Sequence, residues 1–223
     1  MNILFIGNSY TSRNDLEKLF EALCRENGFQ VQAFRVSEGG RRMIRYTCDT
    51  DPVTQLLRQT LQARHYDAVF LQEQSLQPLL DFDAFAAGMQ YVADLVKPHS
   101  SKLIAYATWA RKAGSPDLAI HGWTPETMTA DLDAAYRTVA QTVGAAVSSV
   151  GLSFRAAMEL DPQLELYDPD LYHPSYLGSC LAALTHYHTL FGAFPGNIRS
   201  LCLDEPVRAV FEAAVCRRGA GRG

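Results

Sequence analysis

A serine hydroxyl becomes a nucleophile when a base takes its proton, and that base needs a carboxylate to hold its tautomer. The chain carries both halves of such a set, far apart in sequence. Near the start, Gly7-Asn8-Ser9-Tyr10-Thr11 follows the apolar run Ile3-Leu4-Phe5-Ile6. Near the end, Asp168-Pro169-Asp170-Leu171-Tyr172-His173-Pro174-Ser175 puts a carboxylate and an imidazole in one short loop. Gly-Asn-Ser is also ordinary turn chemistry, so the first stretch alone leaves two readings open. The Asp-x-x-His loop favours the reactive one.

The elements that must position these residues can be read from periodicity. Four apolar residues right after Asn2 predict a buried parallel strand. Asn14-Asp15-Leu16-Glu17 has the signature of a capped helix start, with Glu three positions after a cap residue. Ser9 is therefore expected in a strand-to-helix crossing at the carboxyl end of the first strand, where open α/β sheets gather ligands. Its own backbone N–H would be free to face a developing oxyanion.

Further along, strands are expected at Gln30 to Val36, Asp67 to Leu71, Lys102 to Ala107 and Ala145 to Val150. Between them helices are expected from Asn14 to about Glu26, Pro52 to about Arg64, about Asp83 to Val96, and Thr124 to about Val143. Three more follow, near Phe154 to Leu160, Pro174 to Phe191 and Glu205 to Val215. Strands alternating with amphipathic helices indicate βαβ units and a parallel sheet. Thr108 to Gly122 is left as a long irregular loop, long enough to expect a functional role.

With these residues in place, the sequence resembles the SGNH hydrolases, the GDSL-type esterase/lipase superfamily. The resemblance runs from Ile3 to about Leu184 and rests on short blocks in the right order. Gly7-Asn8-Ser9 matches the first block and Asp170-x-x-His173 the last. Gly39-Gly40, after the second strand, stands where the family keeps its second-block glycine, and Gly40 is the expected backbone oxyanion donor. The third block departs from the family pattern: Gly-x-Asn-Asp is replaced by Gln72-Glu73-Gln74-Ser75. Gln74 occupies the Asn position by distance from the strand and offers the same amide on a longer stem. Gln72 remains an alternative donor, because two-residue alternation would put it on the same face as Gln74, with Glu73 pointing the other way.

The resemblance implies a three-layer α/β/α, flavodoxin-like fold with about five parallel strands; chain length suits one domain over residues 1–215, and the short Gly-rich composition suits a flexible tail at 216–223. It implies a serine esterase in which Ser9 attacks, His173 is the base, Asp170 orients His173, and Ser9, Gly40 and Gln74 hold the oxyanion. No metal or organic cofactor is needed for that chemistry. The expected partner is a small-molecule ester, with an acetylated sugar as the favoured substrate. The alternatives are a lipase- or thioesterase-like acyl hydrolase, and a catalytically silent binding module with this fold. The Gly-x-Ser-x-Gly elbow of α/β-hydrolases is absent, since position 11 is Thr.

Arg41, Arg42, Trp109, Arg111 and His121 fall on loops at the carboxyl ends of the strands. They are candidate pocket residues, and an aromatic with arginines would suit a sugar or a carboxylate-bearing acyl group. His186-Tyr187-His188 lies in a helical stretch, where i and i+2 do not share a face, so a metal site is not expected there.

Composition bounds the rest. The 223 residues are 48% hydrophobic and 20% charged, an ordinary globular balance able to bury a core. A net charge of −4 gives no electrostatic case for nucleic acid or an anionic membrane. No apolar run approaches the roughly 18 residues of a membrane span. The five cysteines are odd in number and form no Cys-x-x-Cys pair, which suits reduced thiols. With the first strand starting at once, no leader is expected, and the expected location is the cytoplasm.

Overall fold

Alternate residues of the central strands go to opposite faces, and both faces are apolar. In β1 (Asn2–Gly7), Ile3 and Phe5 join one core while Leu4 and Ile6 join another. The same split holds in β3 (Ala68–Leu71) and β4 (Leu103–Ala107). A strand buried on both faces reads as a continuous apolar run, which is why these three were visible in the sequence. The computed structural model describes residues 1–217 of the chain.

With β2 (Gln32–Ser37) and β5 (Ala146–Ser149), the strands form one sheet in the order β2-β1-β3-β4-β5, every neighbouring pair parallel. Among the described residues ten α-helices accompany it: α1 (Ser9–Ser12), α2 (Leu16–Glu26), α3 (Pro52–Ala63), α4 (Gln77–Leu80), α5 (Phe82–Val96), α6 (Pro116–His121), α7 (Pro125–Val143), α8 (Val150–Leu160), α9 (Tyr176–Phe191) and α10 (Glu205–Cys216). Buried side chains of α2, α8, α9 and α10 pack with Phe5, Phe70 and Tyr106. Those of α3, α5 and α7 pack with Leu4, Leu71 and Ala105. The result is the three-layer α/β/α sandwich with five parallel strands. At its centre the rings of Phe5 and Phe70 stack at 4.6 Å.

Strand register brings the catalytic candidates to one edge. Ile6 pairs with both Val36 and Leu71, and Gly7 pairs with Ser37, so β1, β2 and β3 end level. The loops after them carry Ser9, Gly40 and Gln74. The order reverses between β1 and β3, and that switch point opens a crevice at the carboxyl ends of the strands.

The first helix differs from expectation. It starts at Ser9, capped by Asn8, whose Oδ1 accepts from the Tyr10 N–H at 3.1 Å. Asn14 does not cap α2. Asn14 and Asp15 sit at φ 54° and 49°, a left-handed kink that joins α1 to α2 through a 3-10 turn. Asn and Asp tolerate this region better than other side chains with a Cβ, so the pair that looked like a cap serves as a hinge. Glu17 pairs with Arg35 at 2.8 Å instead of closing a capping box. The stretch after β4 also gains structure, since Pro116–His121 is helical. At the far end, α10 runs one residue past expectation to Cys216 with Arg217 as its C-cap, and residues 218–223 of the expected tail lie outside the described residues. All five cysteines are free thiols. Among the described residues no helix is long and apolar enough to cross a membrane.

Candidate active site

Asn8 is the node that assembles the site. Its backbone N–H donates to Gln72 Oε1 at 3.0 Å, and its Oδ1 accepts from Gln72 Nε2 at 3.0 Å. Its Nδ2 donates to the Arg41 carbonyl at 3.1 Å. One buried side chain thus ties the loops after β1, β2 and β3 together. Gly7 makes this possible, because a Cβ there would collide with Gln72 Oε1 and Thr11 Oγ1.

Ser9 stands at the first position of α1, so its N–H has no partner within the helix. Its Oγ lies 2.8 Å from His173 Nε2. His173 Nδ1 lies 2.7 Å from Asp170 Oδ2, and Asp170 Oδ1 accepts from the His173 and Tyr172 N–H groups at 2.9 and 3.1 Å. Burial alone would raise the Asp170 carboxyl, but the hydrogen bonds from His173 and Tyr172 hold it below its ordinary value. The turn between the two residues is tight: Leu171 takes φ 68°, and its carbonyl accepts from the Lys112 N–H at 2.9 Å. The Asp168 carboxylate pairs with Arg13 at 3.3 Å instead of with the imidazole, while its N–H donates to the His173 carbonyl at 2.9 Å.

Ser9, Gly40, Gln74 and His173 line one cavity of about 370 Å³, together with Asn8, Tyr10, Ser75, Arg111, Asp117 and Tyr172. Gly40 takes φ 65°, a left-handed conformation suited to glycine, and its N–H makes no hydrogen bond to the described residues. Gln74 Oε1 accepts from the Leu76 and Gln77 N–H groups at 2.9 and 3.0 Å. With the oxygen so committed, the hydrogen-bonding capacity left to this amide is its Nε2 donor. Gln72 is instead buried beneath the loop, clasping Asn8 and accepting from Thr11 Oγ1 at 2.9 Å. The expected shared face of Gln72 and Gln74 is not found, because β3 ends at Leu71 and strand alternation ends with it.

Glu73 is buried and structural. Its carboxylate accepts from the Met43 N–H at 3.0 Å and from the Gln74 N–H at 2.6 Å, joining the second loop to the third. Burial pushes this carboxyl up to about 7, against those two hydrogen bonds, which favour the charged form.

The five loop residues proposed for a pocket divide sharply. Only Arg111 lines the cavity. Arg41 is buried away from it, ion-paired with Asp51 and Glu38 and stacked over Tyr46 at 4.2 Å. Its loop position suggested exposure, but the acidic partner ten residues on is brought in by the turn before α3. Trp109 is fully buried, stacked between Tyr10 at 4.5 Å and Phe154 at 4.3 Å, and its Nε1 donates to the Tyr172 carbonyl at 3.0 Å. It therefore supports the Asp-x-x-His loop from behind. Arg42 is exposed, and exposed His121 stacks on Trp123 at 4.6 Å, outside the cavity lining. His186 is a core residue with Nδ1 2.8 Å from Ser148 Oγ.

Sequence reasoning missed the roles of Asn8, Tyr10, Tyr172 and Asp117. The first three lay inside blocks already singled out. For Asp117 the only signal was its place in the long stretch after β4.

No family model matches the chain, and no curated protein does either. Solved structures do. A candidate SGNH hydrolase from Slackia heliotrinireducens is 28% identical, over 85% of this chain and 98% of that one, with a TM-score of 0.75. A protein of family DUF4886 from Bacteroides uniformis aligns over 99% of this chain and 95% of its own, at 16% identity and a TM-score of 0.75. A variant of an acetyl xylan esterase from Geobacillus stearothermophilus aligns over 85% and 94%, at 16% identity and a TM-score of 0.58. The two more distant neighbours share the fold; taken with the sheet order and the blocks at its carboxyl edge, the likeness to the Slackia protein places the chain in the SGNH hydrolase superfamily, the GDSL-type esterases and lipases.

Proposed function

We propose that the protein is a serine esterase that hydrolyses carboxylic esters by acyl transfer. One observation carries this reading: the unbroken hydrogen-bonded chain from Ser9 Oγ through His173 to Asp170, at 2.8 and 2.7 Å. In the proposed reaction Ser9 Oγ attacks the ester carbonyl while His173 Nε2 takes the hydroxyl proton. Asp170 fixes the tautomer and stabilises the imidazolium. The carbonyl oxygen becomes charged against the N–H groups of Ser9 and Gly40 and the Gln74 amide. Collapse breaks the bond to the alcohol, which leaves with the proton from His173. Water, deprotonated by the same nitrogen, then attacks the acyl-serine and releases the acid, restoring Ser9.

The small cavity, with Asn8, Gln74, Ser75, Arg111 and Asp117 in its wall, supports a short acyl group and a hydroxylated alcohol, so an O-acetylated carbohydrate is the favoured substrate class. The acetyl xylan esterase neighbour shares the fold, which is compatible with this choice. A panel of p-nitrophenyl esters of increasing chain length, alongside acetylated sugars, tests the reading. Turnover is expected for acetates, falling with acyl length, and absent in Ser9→Ala. Undiminished turnover in pure Ser9→Ala would overturn it.

A further inference from the structure

Arg111 and Asp117 form a pair in the cavity wall that the acyl-transfer steps leave unused. Arg111 is 4% exposed, so its guanidinium has been taken out of water and needs partners. Nε donates to Asp117 Oδ2 at 2.7 Å, Nη1 donates to the Tyr10 hydroxyl at 2.6 Å, and Cζ lies over the Tyr172 ring, 4.7 Å from its centre. Tyr10 is itself pinned against Trp109, and burial pushes its phenol up to about 12, so it stays a neutral hydroxyl. The guanidinium is therefore fixed in orientation. Among the described residues, neither Arg111 Nη2 nor Asp117 Oδ1 has a hydrogen-bond partner, and both residues line the cavity with Ser9 and His173.

A donor and an acceptor left open on two residues joined by a hydrogen bond suit one kind of ligand. The pair is neutral as a whole, so it offers no net attraction to an anion. A carboxylate bound at Nη2 would also face the carboxylate of Asp117. Two adjacent hydroxyl groups fit better, one accepting from Nη2 and the other donating to Oδ1. The position also agrees with the chemistry. His173 protonates the departing alcohol, so that alcohol lies on the histidine's side of the cavity. Tyr172, over which Arg111 stacks, is the residue before His173.

We infer that Arg111 and Asp117 form an alcohol-side subsite that selects neutral esters bearing vicinal hydroxyls, an acylated sugar being the simplest, over simple alkyl or anionic esters. The inference rests on the acyl-transfer reading for its catalytic consequence, but binding can be tested without turnover.

The variant to make is Asp117→Asn, at a side chain 34% exposed near the start of α6, where the amide keeps the shape and loses the charge. Two measurements are needed. The first is kcat/KM on a mono-O-acetylated methyl xyloside, on p-nitrophenyl acetate and on the acetate ester of a hydroxy acid with a free carboxylate. The second is calorimetric binding of unacetylated methyl xyloside. Hydrogen bonds to charged groups predict that the sugar-to-nitrophenyl ratio falls about 10-fold or more, through KM, while the ratio of anionic to sugar ester rises. Binding of methyl xyloside should weaken in parallel. Wild-type hydrolysis with ratios that do not move in Asp117→Asn would refute the subsite and leave the Ser9 reading standing. Binding that weakens in the variant, with no ester hydrolysed by wild type, would support the subsite and remove the Ser9 reading. Neither hydrolysis nor binding would remove both.

Discussion

Asn14 Nδ2 donates to the carbonyl of Pro174 at 3.2 Å and to Ser179 Oγ at 2.9 Å. The segment just after Ser9 is thereby fastened to the residue just after His173, across a sequence gap of 160 residues. Ser9 and His173 meet through one hydrogen bond of their own, and this tether fixes the backbones that present them.

Asn14→Gly separates the tether from the backbone conformation, because glycine accepts φ 54° without a Cβ penalty. Losing two part-buried hydrogen bonds should lower stability by about 1–2 kcal/mol. Loosening the Ser9–His173 geometry should lower kcat more than it changes KM. Thermal unfolding and steady-state kinetics check both. A variant with unchanged kcat would mean the two loops hold their register without Asn14.

The roles proposed for Gln74 and Gln72 can be separated by experiment. Gln74→Ala should lose roughly 10²–10³ in kcat with little change in KM, the signature of a donor used as charge develops. Gln72→Ala should unfold more readily, by about 1–3 kcal/mol, because the Asn8 N–H and Oδ1 lose buried partners. Its activity loss should follow from disorder of the Ser9 loop. Equal kinetic losses, with no stability difference between the two variants, would contradict this division.

Glu73 gives a pH signature of its own. The folded chain holds this proton more tightly than the unfolded chain, since burial raises the carboxyl from 4.5 to about 7. Its contribution to stability is therefore complete below about pH 4.5 and declines as pH rises towards 7. Glu73→Gln cannot titrate. The stability of wild type minus that of Glu73→Gln should drop across this window by something on the order of 3 kcal/mol. Urea unfolding at pH 5, 6 and 7 measures it, and parallel curves would show that the carboxylate is satisfied without a proton.

Local sequence revealed what local forces determine. The apolar runs of β1, β3 and β4 could be read because both faces are buried, and Asp170 and His173 because the whole Asp-x-x-His turn lies within a few residues. The position of Ser9 at the end of β1 was legible for the same reason. Residues whose meaning depends on distant partners were not. Asn14 carries the local signature of a cap and serves a partner far along the chain. Arg41 looked like a loop cation and is buried because Asp51 and Tyr46 close over it. Trp109 looked like a pocket aromatic and is a wall behind Tyr10. The different placements of Gln72 and Gln74 follow from where β3 stops, and strand ends are poorly marked in sequence.

In the proposed mechanism His173 activates Ser9 as the nucleophile, and a fluorophosphonate probe followed by peptide mass spectrometry tests that step. One adduct is expected, on the peptide bearing Ser9, absent in Ser9→Ala and formed at least about 100-fold more slowly in His173→Ala. An adduct at another residue, or labelling of Ser9 at the same rate without His173, would contradict it.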